Sequence, residues 1–300
     1  MAKRKTSMNG IPDTSLVVRR PPTLDLAGKR FVVVGGTDGL GRAIARLAVD
    51  AGADVTVVGR RFRDAEVPRL QFLAADLSSM REAVRLGTEL DPGADAVLMT
   101  AGIIAAPQRE VTAEGIERDM AISTLSRHAI LRGLAPRLRP RSRVFVMGFP
   151  GAGNLGDPRD INAEKSYAAM PVHMNTVAGN EAIVLDAKDR YPQIDVFGLN
   201  PGLVKTGIRA NLLGAGSLKH RLIEGLIGLF TPSPQSYATR IVPLLVAPEL
   251  AGRSGAMFGK KGTAILPTES FDAAHVRGFI EGLDALLGRA IASSASQNAG

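Results

Sequence analysis

The sequence predicts an α/β fold, a doubly wound parallel sheet with helices on both faces, in a single domain. Three observations carry that expectation. Short apolar runs alternate with stretches of helical period along most of the 300 residues, which is how strands buried on both faces read. A glycine cluster joins the first such run to the first helix, in Phe31–Arg42, FVVVGGTDGLGR. The next run, Asp54–Gly59, ends in Arg60-Arg61. A hydrophobic content of 45% can bury one large core, and no internal repeat divides the chain.

Taken in order, residues 1–27 read as a basic N-terminal arm. Seven basic residues stand against two acidic ones in the first 30 positions, and short charge-rich termini are expected to be flexible. Attraction to an acidic partner or an anionic membrane surface is the other use such an arm could have. Pro21-Pro22 ends it, and the folded domain is expected over 28–265. Strands are predicted at 30–35, 54–59, 70–74, 95–99, 142–148 and 194–199, and helices at 40–51, 79–89, 113–136 and 173–189. Thr112 and Glu114 offer a cap to the third helix. A helical lid is predicted at about 206–230, with Gly214 and Gly216 as turn points. Residues 266–300 close the chain with a helix (271–290) and a frayed tail.

The glycine corner has a chemical reading. Glycines between strand and helix let the backbone approach a ligand closely. They also aim the free N–H groups and positive end of the helix at an anion, typically a pyrophosphate. The strand–turn–helix–strand context required of a dinucleotide fingerprint is present, which makes this a Rossmann fold. No acid stands at the end of the second strand to grip a ribose 2′-hydroxyl. Arg42 and Arg60 could instead pair with a 2′-phosphate, so the cofactor expected is NADP(H).

Several classes are excluded or disfavoured. With no cysteine there are no disulfides, thiolate metal sites or cysteine nucleophiles, and the composition fits a reducing, cytoplasmic setting. No apolar run approaches the ~18–20 residues of a membrane span, and residues 1–10 lack a signal-peptide core. Aromatics are 4% and Trp is absent, so stacking platforms for nucleic acid are missing. No metal-ligand spacing and no nucleophile elbow occur.

With these motifs in order, the chain resembles the short-chain dehydrogenase/reductase family, in particular its retinol-dehydrogenase-like and WW-domain-oxidoreductase-like members, from about Gly28 to Gly262. Val34–Gly41, VGGTDGLG, is similar to the family's TGxxxGxG with the leading Thr changed. The resemblance assigns cofactor contacts to Gly35, Thr37, Asp38, Gly39, Leu40, Gly41, Arg42 and Arg60. It also assigns Asp76 and Leu77 to the adenine, and Ala101 and Gly102 to the tail of NAG. Pro201, Gly202, Val204 and Thr206 fall in the family's PG…T turn, whose threonine holds the nicotinamide carboxamide.

The catalytic positions depart from the family together. Registered on Asn180, the tyrosine position carries His173 and the lysine position Val177. Met147-Gly148-Phe149 replaces the serine, and the asparagine position carries Ser123. A phenol near pKa ~10 needs a neighbouring cation to approach neutrality, which Val177 cannot supply. An imidazole, with an ordinary pKa near ~6.5, needs no such help. His173 is therefore the candidate acid/base, with Tyr167 and Ser123 as further catalytic candidates and no metal. Three functions follow. The first is an atypical NADP(H)-dependent oxidoreductase on a small carbonyl or alcohol. The second is an isomerase, cyclase or dehydratase on the same scaffold; the third, an inactive NADP(H)-binding protein. Pairing of two copies through the 113–136 and 173–189 helices is implied by the resemblance.

Overall fold

The computed structural model describes residues 10–202 and 233–297. One sheet of eight strands organises it, in the order β3-β2-β1-β4-β5-β6-β7-β8. The strands are β1 (Arg30–Val34), β2 (Asp54–Gly59), β3 (Leu70–Ala74), β4 (Ala96–Met99), β5 (Arg143–Met147), β6 (Asp195–Leu199), β7 (Met257–Phe258) and β8 (Ala264–Ile265). All adjacent pairs are parallel except β7–β8. The chain reverses its direction of travel across the sheet between β1 and β4, the point where such sheets bind ligands beyond the strands' carboxyl ends.

The six strands predicted from apolar runs are present within a residue of the expected bounds. Residues of β1, β4, β5 and β6 are almost wholly buried, as parallel strands covered on both faces must be. One face packs under α2 (Met80–Glu89), α3 (118–134), α4 (Ala169–Arg190) and α6 (Ala273–Gln297). The other packs under α1 (Gly39–Asp50) and α5 (Pro234–Ile241). Ser79 caps α2, and Glu114 reinforces that cap, its carboxylate accepting from Met80 N at 2.9 Å.

Two expectations need correction. Residues 10–27 are docked, not free: Ile11 and Asp13 bond backbone-to-backbone with Leu266 and Ala264 of the sheet edge, and Leu16 and Leu26 are buried. Their apolar residues find a core that charge counting does not register. The helix expected at 113–136 begins at Arg118 and contains a π turn over Ala121–Leu125. His128 of that helix is buried and 2.6 Å from Asp284 of α6, so it is a packing residue. Asp284 also holds Arg132 at 2.5 Å, and α6 buries Phe279, Leu283 and Leu286 in the core shared with α3 and α4. α6 thus packs against both helices implied for pairing of two copies. The expected lid, with Val204 and Thr206, lies outside the described residues.

Candidate active site

The glycine corner is a close approach of three backbones. Gly35 has φ +88°, and a Cβ there would lie 2.4 Å from the Ala101 nitrogen. A Cβ on Gly41 would meet the Gly35 carbonyl oxygen at 2.3 Å and Thr100 Oγ1 at 2.4 Å. The first turn of α1 therefore sits directly on the ends of β1 and β4. Asp38 caps α1, its Oδ1 accepting from Gly39 N at 2.8 Å. Thr37 packs over Gly59 at the end of β2, and Leu40 turns into the core beneath. The neighbouring N–H groups are thus held at the carboxyl edge of the sheet, at the β1/β4 crossover.

Arg60 and Arg61 leave the end of β2 exposed, and neither forms an ion pair among the described residues. Arg42 does not stand beside them as a free fork, because it pairs with Asp64. Its Nε donates to Asp64 Oδ2 at 2.7 Å and its Nη2 to Asp64 Oδ1 at 2.5 Å. Arg46 Nη1 adds a third bond at 2.7 Å. These guanidinium groups, Arg42 first, hold the buried Asp64 carboxyl below the usual carboxylate range against the pull of desolvation. Asp76, beyond β3, accepts from the backbone and hydroxyl of Ser78, and Leu77 beside it is buried. Ala101 and Gly102 follow β4. Pro201 and Gly202 follow β6, with Gly202 N donating to Asn200 Oδ1 at 2.9 Å.

Elsewhere, α3 and α4 bring two of the three catalytic candidates together through a residue the sequence reading missed. His173 Nδ1 lies 2.7 Å from Asp119 Oδ2. Ser123 donates to the other oxygen of Asp119 at 2.5 Å and accepts from the backbone N–H of Ile103 at 3.0 Å. The His173 side chain is 21% exposed and that of Asp119 fully buried. His173 Nε2 has no hydrogen-bond partner among the described residues. Tyr167 is not part of this group. Its hydroxyl donates to the Ala106 carbonyl at 2.6 Å, and burial raises its pKa. It packs beside the cluster of Ala105, Ala163 and Val172.

The frame around the cluster is polar and buried. A π turn leaves backbone groups out of the helical ladder and occurs often at functional sites. Here Asn180 Nδ2 donates to the carbonyl of Ser123 at 2.8 Å, while its Oδ1 accepts from Arg127 Nη1 at 2.9 Å. Arg127 also donates to the carbonyls of Met147 and Ala101, tying the ends of β4 and β5 to α4. Burial pulls this guanidinium down to about 9, with the Asp119 carboxylate acting against that. Glu117 caps the start of α3 through Met120 N at 2.7 Å, and burial pushes its carboxyl up. Glu181, also pushed up by burial, binds Gly151 N and Thr268 and does not reach the imidazole. Among the described residues there is no group of three metal-binding side chains, and no helix is long and apolar enough to cross a membrane.

One signal could have found Asp119. It precedes Ser123 by four residues, so both fall on one face of a helix. The Asp64 and Arg127 contacts had no such local mark, because they join residues 22 and 53 positions apart.

No family model matches the chain. It is 44% identical over 280 residues to an uncharacterised oxidoreductase of Saccharomyces cerevisiae, covering 89% of this chain and 91% of that one. The polyprenol dehydrogenase of Mus musculus is 28% identical over 272 residues, covering 79% of this chain and 77% of that protein. Among solved structures, a short-chain dehydrogenase of Shigella flexneri superposes with a TM-score of 0.59 at 18% identity, over 83% of this chain and 98% of that one. Another from Shigella flexneri, solved in complex with NADP, gives a TM-score of 0.57 at 18% identity, over 80% of this chain and all of the other. With the parallel sheet, the glycine corner and the close yeast relative in hand, the chain is an oxidoreductase of the short-chain dehydrogenase/reductase family.

Proposed function

We propose that the protein uses NADP(H) to interconvert a carbonyl and an alcohol on a small-molecule substrate, with His173 as the acid/base in place of the family's tyrosine. The observation that carries this reading is the Asp119–His173 contact of 2.7 Å at the position where the resemblance puts the catalytic phenol. A merely vestigial histidine would have no need of a buried carboxylate on its Nδ1.

The residues present fit a nicotinamide dinucleotide. The cradle at Gly35 and Gly41 has no room for a Cβ, so only glycine lets α1 bring its first-turn N–H groups this close to the strand ends, where a pyrophosphate is best held. Arg60 supplies a guanidinium for a 2′-phosphate, Asp76 and Leu77 would border the adenine, and Ala101 and Gly102 the ribose. When bound, the cofactor supplies or accepts a hydride. The chain's own residues manage everything else. His173 gives a proton from Nε2 to the oxygen of the carbonyl as its carbon takes the hydride, yielding the alcohol, and the ring is reprotonated from water. The reverse reaction runs through the neutral imidazole as base. The Ser123 hydroxyl bonds Asp119 and Ile103, and we assign it to shaping the site.

NADPH absorbance followed against a panel of ketones and aldehydes tests the assignment. His173→Phe is expected to lower turnover about 10²–10⁴-fold, the usual weight of a general acid, with NADPH binding retained. Turnover unaffected by that change removes the histidine from the mechanism. Product formed without any change in nicotinamide redox state points to the isomerase-type chemistry instead.

A further inference from the structure

We propose that Asp119 is the positioning residue for this acid/base: the assistance that the family places four residues after the acid, at the position of Val177, comes here from α3 through the buried pair Asp119–His173. The inference rests on His173 being the acid/base and adds the residue that determines how it works.

Each oxygen of Asp119 has its own partner. Oδ2 takes His173 Nδ1 at 2.7 Å, and Oδ1 takes the Ser123 hydroxyl at 2.5 Å. An ionised carboxylate only accepts. Nδ1 must therefore carry a hydrogen in both charge states of the ring, and the proton that exchanges is the one on Nε2. The same logic holds wherever an aspartate fixes the tautomer of a catalytic histidine without itself taking the proton. Val177 is buried and apolar and can do nothing comparable.

Two neighbours make Asp119 suited to this and Glu117 unsuited. Glu117 is also buried, but its carboxylate is committed to Met120 N. Asp119 faces the charge of Arg127, a guanidinium that makes only carbonyl and amide contacts and no ion pair among the described residues. The Ser123 hydroxyl that donates to Asp119 also accepts from Ile103 N. Ile103 follows Gly102 in the loop after β4, so the histidine is anchored to the same loop that would flank the nicotinamide ribose. Acid and cofactor edge are held in one register through three side chains.

The test is side-chain 15N–1H NMR of the full chain, with the His173 signal identified by its loss in His173→Gln, together with steady-state kinetics of Asp119→Asn. In the neutral ring of the wild type the proton is expected on Nδ1, shifted downfield by the carboxylate. In Asp119→Asn that signal moves or vanishes and kcat falls about 10²–10⁴-fold, while KM and the NADPH dissociation constant stay within about threefold. Ser123→Ala keeps the Nδ1 proton and lowers kcat about 3–10-fold, the loss of one supporting hydrogen bond. A neutral wild-type ring protonated on Nε2 overturns the proposal, as does Asp119→Asn with wild-type kcat. Should Asp119→Asn fail to fold, the wild-type tautomer and Ser123→Ala still decide. An Nδ1-protonated His173 in a protein that turns over no carbonyl would sustain the pairing and refute the oxidoreductase assignment of His173 instead.

Discussion

Replacing Gly41 by alanine separates the cofactor corner from the rest of the fold. The added methyl would lie 2.3 Å from the Gly35 oxygen and 2.4 Å from Thr100 Oγ1, against an ordinary contact near 3.4 Å. The first of these is backbone, so α1 must move outward by about 1 Å. Such overpacking costs about 1–3 kcal/mol, and the gain in helix propensity offsets at most about 1 kcal/mol of it. A net loss of about 1–2 kcal/mol corresponds to roughly 2–8 °C in Tm for a chain of this size. Binding should suffer more, because the displaced N–H groups are those aimed at the pyrophosphate. Losing one charge-assisted hydrogen bond, worth about 1.5–3 kcal/mol, weakens NADPH about 10–100-fold. Gly28→Ala is the control. Gly28 has φ +74° and open space around its Cβ position, so it loses about 1–2 kcal/mol to backbone strain alone and should bind NADPH normally. Thermal unfolding and fluorescence titration with NADPH read both quantities. Gly41→Ala binding NADPH within twofold of wild type would refute the placement of the phosphates at this corner.

Other predictions follow from the charged groups. Arg60→Ala should weaken NADPH about 10–100-fold, one charge-assisted contact, and leave NADH unchanged; calorimetry with both cofactors measures the ratio. Asp64 is held low by Arg42 and Arg46, so its folded pKa lies below its unfolded one. Its stabilisation is present above about pH 4 and is lost as pH falls through the lowered folded value. Asp64→Asn should be less stable at pH 7 by about 1–3 kcal/mol and lose less on acidification, as urea unfolding from pH 7 to 3 would show. Glu181 has the opposite sign. Burial raises its folded pKa, so the folded state holds that proton more tightly and stability declines as pH rises from the unfolded value near ~4.3 through the raised one. Glu181→Gln should flatten that decline, and the same unfolding series measured upward to pH 8 detects it.

Most of the fold was legible because its determinants are local. The runs at Phe31–Val34 and Ala96–Met99 are apolar without interruption, and the glycine corner marks the strand-to-helix turn by composition alone. What escaped depends on tertiary contact. Strands β7 and β8 have two residues each, too few for any period to register. Residues 10–27 looked like a solvated arm because their charges are in the sequence and the sheet edge that receives them is not. The π turn of α3 is stabilised by Asn180 from another helix, so nothing within 118–134 announces it. The catalytic side divides the same way. His173 was singled out by register against the family pattern and sits on Asp119, whereas Tyr167 bonds the Ala106 carbonyl. Asp119 and Arg127 stayed hidden because a buried charge is indistinguishable from a surface charge until its partners are known.

On the proposed reading, the Gly35–Gly41 corner and the guanidinium of Arg60 hold a phosphorylated nicotinamide dinucleotide. Isothermal titration of the purified full chain with NADPH tests it most directly. One site per chain, with NADH bound at least tenfold more weakly, is the expected result. No heat with NADPH or NADP⁺ at concentrations that saturate other members of the family would show that this corner holds no such cofactor.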